Sequence, residues 1–439
     1  MKIRLKNIGL IDNSEVEING ITIIAGINAT GKSTIGKALY SVFNSLQNIY
    51  DKVNEIRHKN IMSIFLKDTK DSRLVGHYRN DIFNQYDDQV HYLVENASKF
   101  VNDKSALFDN IDSFLDSVSV YPTEVKEIGF NDTMPFTVKE STQNIVDNIF
   151  DSLNIPLDRI VKSILQTNLD AEFSGEISNR YISEKVSEIT LTIKGEETTV
   201  SINDDKVSGI RNIKSMYKDI VYIDDPYIID DLKYNTDIDI LNHFFRRRIY
   251  KGRMHHRASL SMKLLANNPD LLESIKTDDK LKDIYAKMEK IKLGNLVYKE
   301  RAYKYEADNI ALDVGNIAAG LKTFIIIKTL LENGSLESNG IMILDEPEIH
   351  LHPKWQLVLA ELIVLIQKEF NMHILLNTHS PYFLSAIETY SKQHGVSDKC
   401  KYYLMNSNEE NTVYAEDVTD NTEQIYKLLA DPFRTLELL

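Results

Sequence analysis

The chain has 439 residues, 51 of them Lys or Arg and 65 Asp or Glu, for a formal charge of −14, with 43% hydrophobic and 26% charged side chains. That composition is globular and excludes disorder as the main state, and the acidic balance excludes a surface given over to nucleic acid, because phosphate needs positive potential where it lies. One cysteine, Cys400, excludes an internal disulfide framework and cysteine-based zinc sites.

At roughly 150 residues per domain the length suggests about three domain-sized units, or one domain carrying large insertions. The opening MKIRLKNIGLIDNSEV alternates apolar and polar residues without an apolar h-region or cleavage site. The longest apolar stretch, Leu357 to Ile366, is interrupted by Glu361 and falls short of the ~20 residues a bilayer span needs. A cytoplasmic protein with no membrane contact is expected. KIRLKNI, SEVEI and ITIIAG read as three strands, the last leading through a glycine-rich turn into a helix with Ile35, Leu39, Val42 and Phe43 at helical spacing. Residues 45–180 are polar with a helical pattern and read as an insertion. ITLTIKGEETTVSI predicts a hairpin turning at Gly195 and Glu196. DIVYIDDP predicts a buried strand stopped by Asp224, Asp225 and Pro226, and residues 228–292 predict a second helical stretch. A β region, LVYKERAYKYEADNIALDV, follows. Then come helix (Leu321–Glu332), strand (IMILDE), helix (Lys354–Glu369), strand (HILLNTHS), a helix from Pro381, and a tail of one or two strands with a closing helix. Strands alternating with helices imply an α/β fold around a parallel sheet with crossover helices.

Three motifs carry chemistry. Gly26-Ile27-Asn28-Ala29-Thr30-Gly31-Lys32-Ser33 matches the phosphate-binding P-loop pattern, with strand before and helix after. Its glycines admit backbone N–H groups to phosphate oxygens and the helix N-terminus adds partial positive charge, an environment shared by Asn28, Ala29, Thr30, Gly31 and Thr34. Lys32 is expected to reach the β and γ phosphates of ATP and the Ser33 hydroxyl to ligate Mg²⁺. Ile341–Leu344 followed by Asp345-Glu346 is a Walker B pattern at a strand's C-terminal end, where open parallel sheets bind ligands. Asp345 is expected to hold Mg²⁺, and Glu346 to accept a proton from, or orient, the attacking water. Alone, such a run is a strand leaving the core; its place after a P-loop gives it function. Asn377-Thr378-His379-Ser380-Pro381 ends another apolar strand, and His379 there can hydrogen-bond a γ-phosphate.

The P-loop, then DEPEIHLHP, then NTHSP resembles the ABC-type, AAA-family ATPases of the SMC, RecF and OLD group, and is similar to the ATPase subunits of Septu-like and PARIS-like anti-phage systems. The resemblance covers about residues 1–44 and 296–390. It implies an ABC-ATPase-like P-loop head with a mixed β-sheet and large helical insertions. Lobe I would be residues 1–44 and 185–227, the insertions 45–184 and 228–294, and lobe II 295–439. It also implies a homodimer or higher homo-oligomer in which two heads sandwich ATP, each site completed by a signature loop from the other head. The matching segment is Asn316 to Lys322, where Asn316 and Gly320 would face nucleotide and Ala318 stands in place of the usual serine. Loss of that hydroxyl points to slow hydrolysis or an ATP-gated switch. The glutamine loop of the resembled family is replaced by Asp224 and Asp225, which are equally a plain strand terminator.

Two further clusters have competing readings. Glu348, His350 and His352 are ligand types, but zinc would want a further ligand and EPEIHLHP matches the resembled family's post-Walker B loop. In the basic stretch from His243 to Arg257, a continuous helix would put Arg246, Arg253 and Arg257 on one face. That face could track a DNA backbone, though a solvated or salt-bridged face is the commoner case and Gly252 weakens the helix. Only 60 residues follow His379, short of the ~100 of a usual domain, so any nuclease or toxin is expected on a separate chain. The expected function is an ATP-binding sensor or switch in an anti-phage complex. The alternative is a RecF- or SMC-like repair ATPase that binds DNA itself.

Overall fold

In the computed structural model the described residues are all except 69–75, 120–141, 183–185, 233–254, 267–280, 290, 292, 300–301, 308–309, 410 and 438–439. Residues 1–47 and 162–439 form one unit and residues 48–161 another.

The larger unit is built on an eleven-stranded mixed sheet in the order β6-β5-β4-β1-β2-β14-β13-β3-β12-β11-β7. The strands that concern the site are β3 (Ile21–Ala25), β7 (Ile220–Ile223), which is an edge strand of the sheet, β11 (Ile341–Asp345), β12 (His373–Thr378) and β13 (Cys400–Ser407), which pairs in parallel with β3. The first four run parallel, with Leu344 opposite Ile223, Asp345 opposite Asn377 and Thr378 opposite Ala25. ITIIA and IVYI are buried along their whole length, as unbroken apolar runs must be when helices cover both faces of a parallel sheet. This register brings four C-terminal strand ends to one edge. Beyond them lie β1 (Lys2–Ile8), β2 (Ile11–Glu17), β4 (Val186–Ile193), β5 (Glu196–Asn203) and β6 (Lys206–Arg211), paired antiparallel except that β14 (Val413–Asp417) meets β2 in parallel. β4 and β5 form the expected hairpin, but the turn falls one residue earlier than expected, on Lys194 and Gly195 at φ 52° and 82°, with Glu196 already in β5. Positive φ at both central residues matches the right-handed twist of the flanking strands.

The main core lies between this sheet and the helices Ala319–Glu332 and Pro353–Phe370, and includes Ile23, Val221, Phe324, Ile326, Leu344, Ile363 and Leu376. Pro353 and Pro381 occupy first-turn positions of their helices, where the missing N–H costs nothing, and Ser380 caps the second by accepting from Phe383 N at 3.2 Å. The β region after the second helical stretch is a separate antiparallel sheet of β8 (Asn295–Lys299), β9 (Ala302–Ala307) and β10 (Ile310–Asp313).

The smaller unit is helical, with Ile49–Asp68, Gly76–Glu95, Ala97–Asn102, Lys104–Ser119 and Thr142–Leu153 around Phe65, Tyr86, Val90, Leu107, Ile111 and Ile149. The helix Leu157–Phe173 leaves it and continues in the larger unit, where Asn168 donates to Ser45 Oγ at 2.7 Å. No helix among the described residues is long and apolar enough to cross a membrane.

Candidate active site

The shared strand edge opens into a cleft of ≈ 550 Å³ lined by residues 28–34, Lys37, Tyr222, Asp224, Asp345, Glu346 and Ile349. Its floor is the loop between β3 and the helix Lys32–Leu46, where Ala29 and Gly31 adopt φ 62° and 79°. A Cβ at Gly26 would come within 2.9 Å of Met405 Cβ and 3.0 Å of Thr30 Oγ1, so it is the close approach of the neighbouring strand that calls for glycine. Thr30 braces the loop by donating to Ile27 O at 2.8 Å. Lys32 is only 5% exposed and donates to the carbonyls of Gly26 and Ile27 at 3.0 Å each.

The second and third motifs meet this loop. Asp345 accepts from Asn377 Nδ2 at 2.9 Å and from the Tyr222 hydroxyl at 3.2 Å, which fixes the carboxylate at the cleft. Glu346 takes φ 50°, and its N–H donates to Asn377 O at 3.0 Å. That left-handed turn aims Oε1 back over the loop, 3.4 Å from Lys32 Nζ and 3.3 Å from His379 Nδ1. A non-glycine residue rarely adopts this conformation outside sites where the surroundings impose it. Ser33 and Asp345 front the cleft together; an all-oxygen donor pair at a phosphate loop fits Mg²⁺.

Sequences brought together here are hundreds of residues apart, and the sequence-expected set Asn28 to Thr34, Asp345, Glu346 and His379 converges at this one edge. Asn316 and Gly320 do not line the cleft. They stand at the start of the helix Ala319–Glu332, with Ala318 as an N-cap that makes no side-chain bond, and a Cβ at Gly320 would lie 2.9 Å from His350 O. Glu348, His350 and His352 diverge. Glu348 is buried against Thr378, the His350 ring lies 5.5 Å edge-on to Tyr227, and His352 Nδ1 accepts from Lys354 N at 3.3 Å.

The basic stretch is corrected in one respect. His255 at φ −59° and ψ 145° caps a helix that starts only at His256, so no continuous helix carries Arg257 back to the earlier arginines. Arg257 pairs with Asp224 at 2.7 Å and Asp225 at 3.5 Å, the salt-bridged alternative; Arg246 and Arg253 lie outside the described residues. Asp224 itself lines the cleft. Burial alone would raise its pKa, but the His256 and Arg257 partners outweigh that and hold it well below the usual carboxylate range. Sequence reasoning missed Tyr222 and the Glu172–His256 pair behind Asp224. No local pattern marks partners 84 residues apart, as these are.

A family model described as an AAA ATPase domain matches residues 1–384. The chain belongs to that family. This AAA ATPase is related to retron-associated probable ATPases. It is 24% identical over 416 residues to the retron Vc95 probable ATPase of Vibrio cholerae serotype O1 biovar El Tor, covering 88% of this chain and 72% of the relative. To the retron Ec83 probable ATPase of Escherichia coli it is 32% identical over 95 residues, covering 19% of this chain and 17% of that one. Among solved structures, the SMC head domain from Thermotoga maritima aligns over 95% of this chain and 98% of its own, with 10% identity and a TM-score of 0.37.

Proposed function

We propose that this AAA ATPase binds ATP with Mg²⁺ and serves as the sensor and switch subunit of an anti-phage defence complex, controlling a separate effector, a nuclease or toxin. The observation that carries the proposal is the division of the catalytic set. Lys32, Asp345, Glu346 and His379 meet at one cleft, while the signature-like residues Asn316 and Gly320 line no part of it. ATP held on one head is then complete only when a second head supplies that segment, so nucleotide becomes a signal for assembly. Within the head, Lys32 would meet the β and γ phosphates, Ser33 and Asp345 would hold Mg²⁺, which neutralises developing charge, and Glu346 would orient water.

Ala318 offers no hydroxyl to a partner's γ-phosphate, which favours slow turnover and a long-lived closed state. The naming of its relatives as retron ATPases supports a role inside a multi-component system. The alternative, a repair ATPase that grips DNA itself, loses Arg257 to two carboxylates.

The test is the mass of the full-length protein with and without ATP and Mg²⁺, alone and co-expressed with the product of its genomic neighbour. A nucleotide-dependent assembly that contains the neighbour is expected. A chain that ignores the neighbour and dimerises with ATP on DNA would replace this reading with the repair ATPase.

A further inference from the structure

Behind Asp224 lies a polar cluster that the three motifs do not use. His256 is 1% exposed, and its ring is flanked by two carboxylates: Glu172 Oε2 at 2.7 Å from Nδ1 and Asp224 Oδ2 at 3.0 Å from Nε2. Glu172 has a fully buried side chain, and its other oxygen accepts from the His256 backbone N–H at 2.7 Å. One face of the imidazole stacks on Tyr222 at 4.2 Å and an interplanar angle of 22°, and Tyr40 meets it edge-on at 5.9 Å. Tyr222 in turn donates to Asp345. The titratable groups around the ring are therefore Glu172, Asp224, Tyr222, Tyr40 and His255, whose own pKa burial lowers, with Arg257 on the far side of Asp224.

We propose that His256 is a positioning residue, clamped from behind by Glu172, that fixes the Asp224 carboxylate at the nucleotide cleft as the acceptor replacing a glutamine-loop side chain. The proposal rests on reading the cleft as an ATP site. A carboxylate on a short loop after a strand has several rotamers, and a hydrolytic site needs one of them. His256 has the means to select it. Nδ1 is hydrogen-bonded to Glu172 and Nε2 lies in ion-pair contact with Asp224 at 3.0 Å, outside hydrogen-bond geometry, so the ring attracts both carboxylates only as the imidazolium, and a charge that deep is retained only when paired. Burial pulls its pKa down, yet its two carboxylate partners raise it overall. The Glu172–His256 bond leaves the imidazolium little freedom, and the Tyr222 face fixes its plane. Arg257 closes the outer side of Asp224 through Nε at 3.0 Å and Nη2 at 2.7 Å. Asp224 thus reaches the cleft already oriented, without nucleotide having to order it.

The experiment uses the full chain and two readouts. In spectra of protein labelled with ¹⁵N-histidine, the His256 signal, identified by its loss in His256→Gln, is expected to keep both nitrogens protonated to a higher pH than an ordinary imidazole and to lose that proton at lower pH in Asp224→Asn. A wild-type ring that deprotonates at or below the pH of an ordinary imidazole, or at the same pH as in Asp224→Asn, overturns the proposal whatever the turnover. In single-turnover hydrolysis, His256→Ala and Asp224→Asn are each expected to slow the chemical step about tenfold or more, as misplaced catalytic groups do, with ATP affinity changed less than about twofold and the double variant no slower than the worse single one. Glu172→Gln, which preserves shape, should give a smaller loss in the same step and keeps the test usable if His256→Ala fails to fold. Additive losses, or affinity lost in parallel with rate, overturn the clamp. One zinc per chain that disappears in His255→Ala would also overturn it and reassign Glu172, His255 and His256 as metal ligands. Failure of the ATP-site reading is separate, and shows as undiminished nucleotide binding in Lys32→Ala.

Discussion

Glu348 and Glu346 are two residues apart and chemically alike, and the fold gives them opposite environments. Glu346 faces the cleft beside Lys32 and His379. Glu348 is 2% exposed, accepts from the Thr378 hydroxyl through Oε1, and has no hydrogen-bond partner for Oε2 among the described residues, and burial pushes its pKa up. For an acid raised in the folded state, ionisation costs stability as pH climbs from its ordinary value through its raised one. Glu348→Gln keeps the acceptor for Thr378 and removes the charge. Its melting temperature should therefore gain on wild type progressively across that window and then hold a constant lead, as thermal melts from pH 4 to 8 would show. At the cleft, Lys32→Ala is expected to weaken ATP binding about 10- to 100-fold, the value of bonds between a cation and phosphate. Glu346→Gln should leave binding intact and slow hydrolysis by roughly 10²- to 10⁴-fold, trapping ATP. Hydrolysis at the wild-type rate in Glu346→Gln would remove it as the base. The residues behind these predictions were legible because each motif is local. Glu348 was legible only as a ligand type, since its burial depends on Thr378 from another strand.

At the scale of elements, the helix Ala319–Glu332 begins on an N-cap without an acceptor side chain. Ala318→Ser would supply one, and a gain of about 0.5–2 kcal/mol is expected, read as a shift of the denaturation midpoint at unchanged slope. If the absent hydroxyl also restrains turnover across a head dimer, the same variant should hydrolyse ATP faster; a stabilised protein with unchanged turnover would separate the two roles. The strand–helix alternation that announces this element was readable because apolar period and cap residues are short-range signals. The start of the helix at His256 was not readable, because the cap is the ring Nδ1 of His255, which accepts from Arg257 N–H at 3.3 Å, and histidine is not among the preferred capping residues.

At the scale of the molecule, the last strands complete the first motif. β13 pairs with β3, Leu404 standing opposite Ala25, and Met405 is the close neighbour that keeps Gly26 a glycine. Gly31 similarly sits 3.2 Å, by its hypothetical Cβ, from Val413 Cγ2 on β14. Truncation before Cys400 leaves all three motifs in the chain, yet it would expose one side of β3 and unsupport the phosphate loop. The truncated protein is expected to lose soluble expression or, if soluble, binding of an ATP analogue; retention of both would show that β13 is dispensable to the cleft.

By itself the sequence determined the local patterns: a glycine-rich loop between an apolar strand and a helix, two carboxylates that end another apolar strand, and strands and helices that alternate around them. Those properties arise within a few residues, from glycine's freedom, capping and period. Tertiary structure alone decided that a tail strand, β13, lies beside β3, and that Arg257 belongs to Asp224 and Asp225. It also decided that Glu172, His256 and Asp224 form one file into the cleft. Such pairings depend on sheet order and register between distant segments, which burial of the whole chain selects and no local pattern encodes.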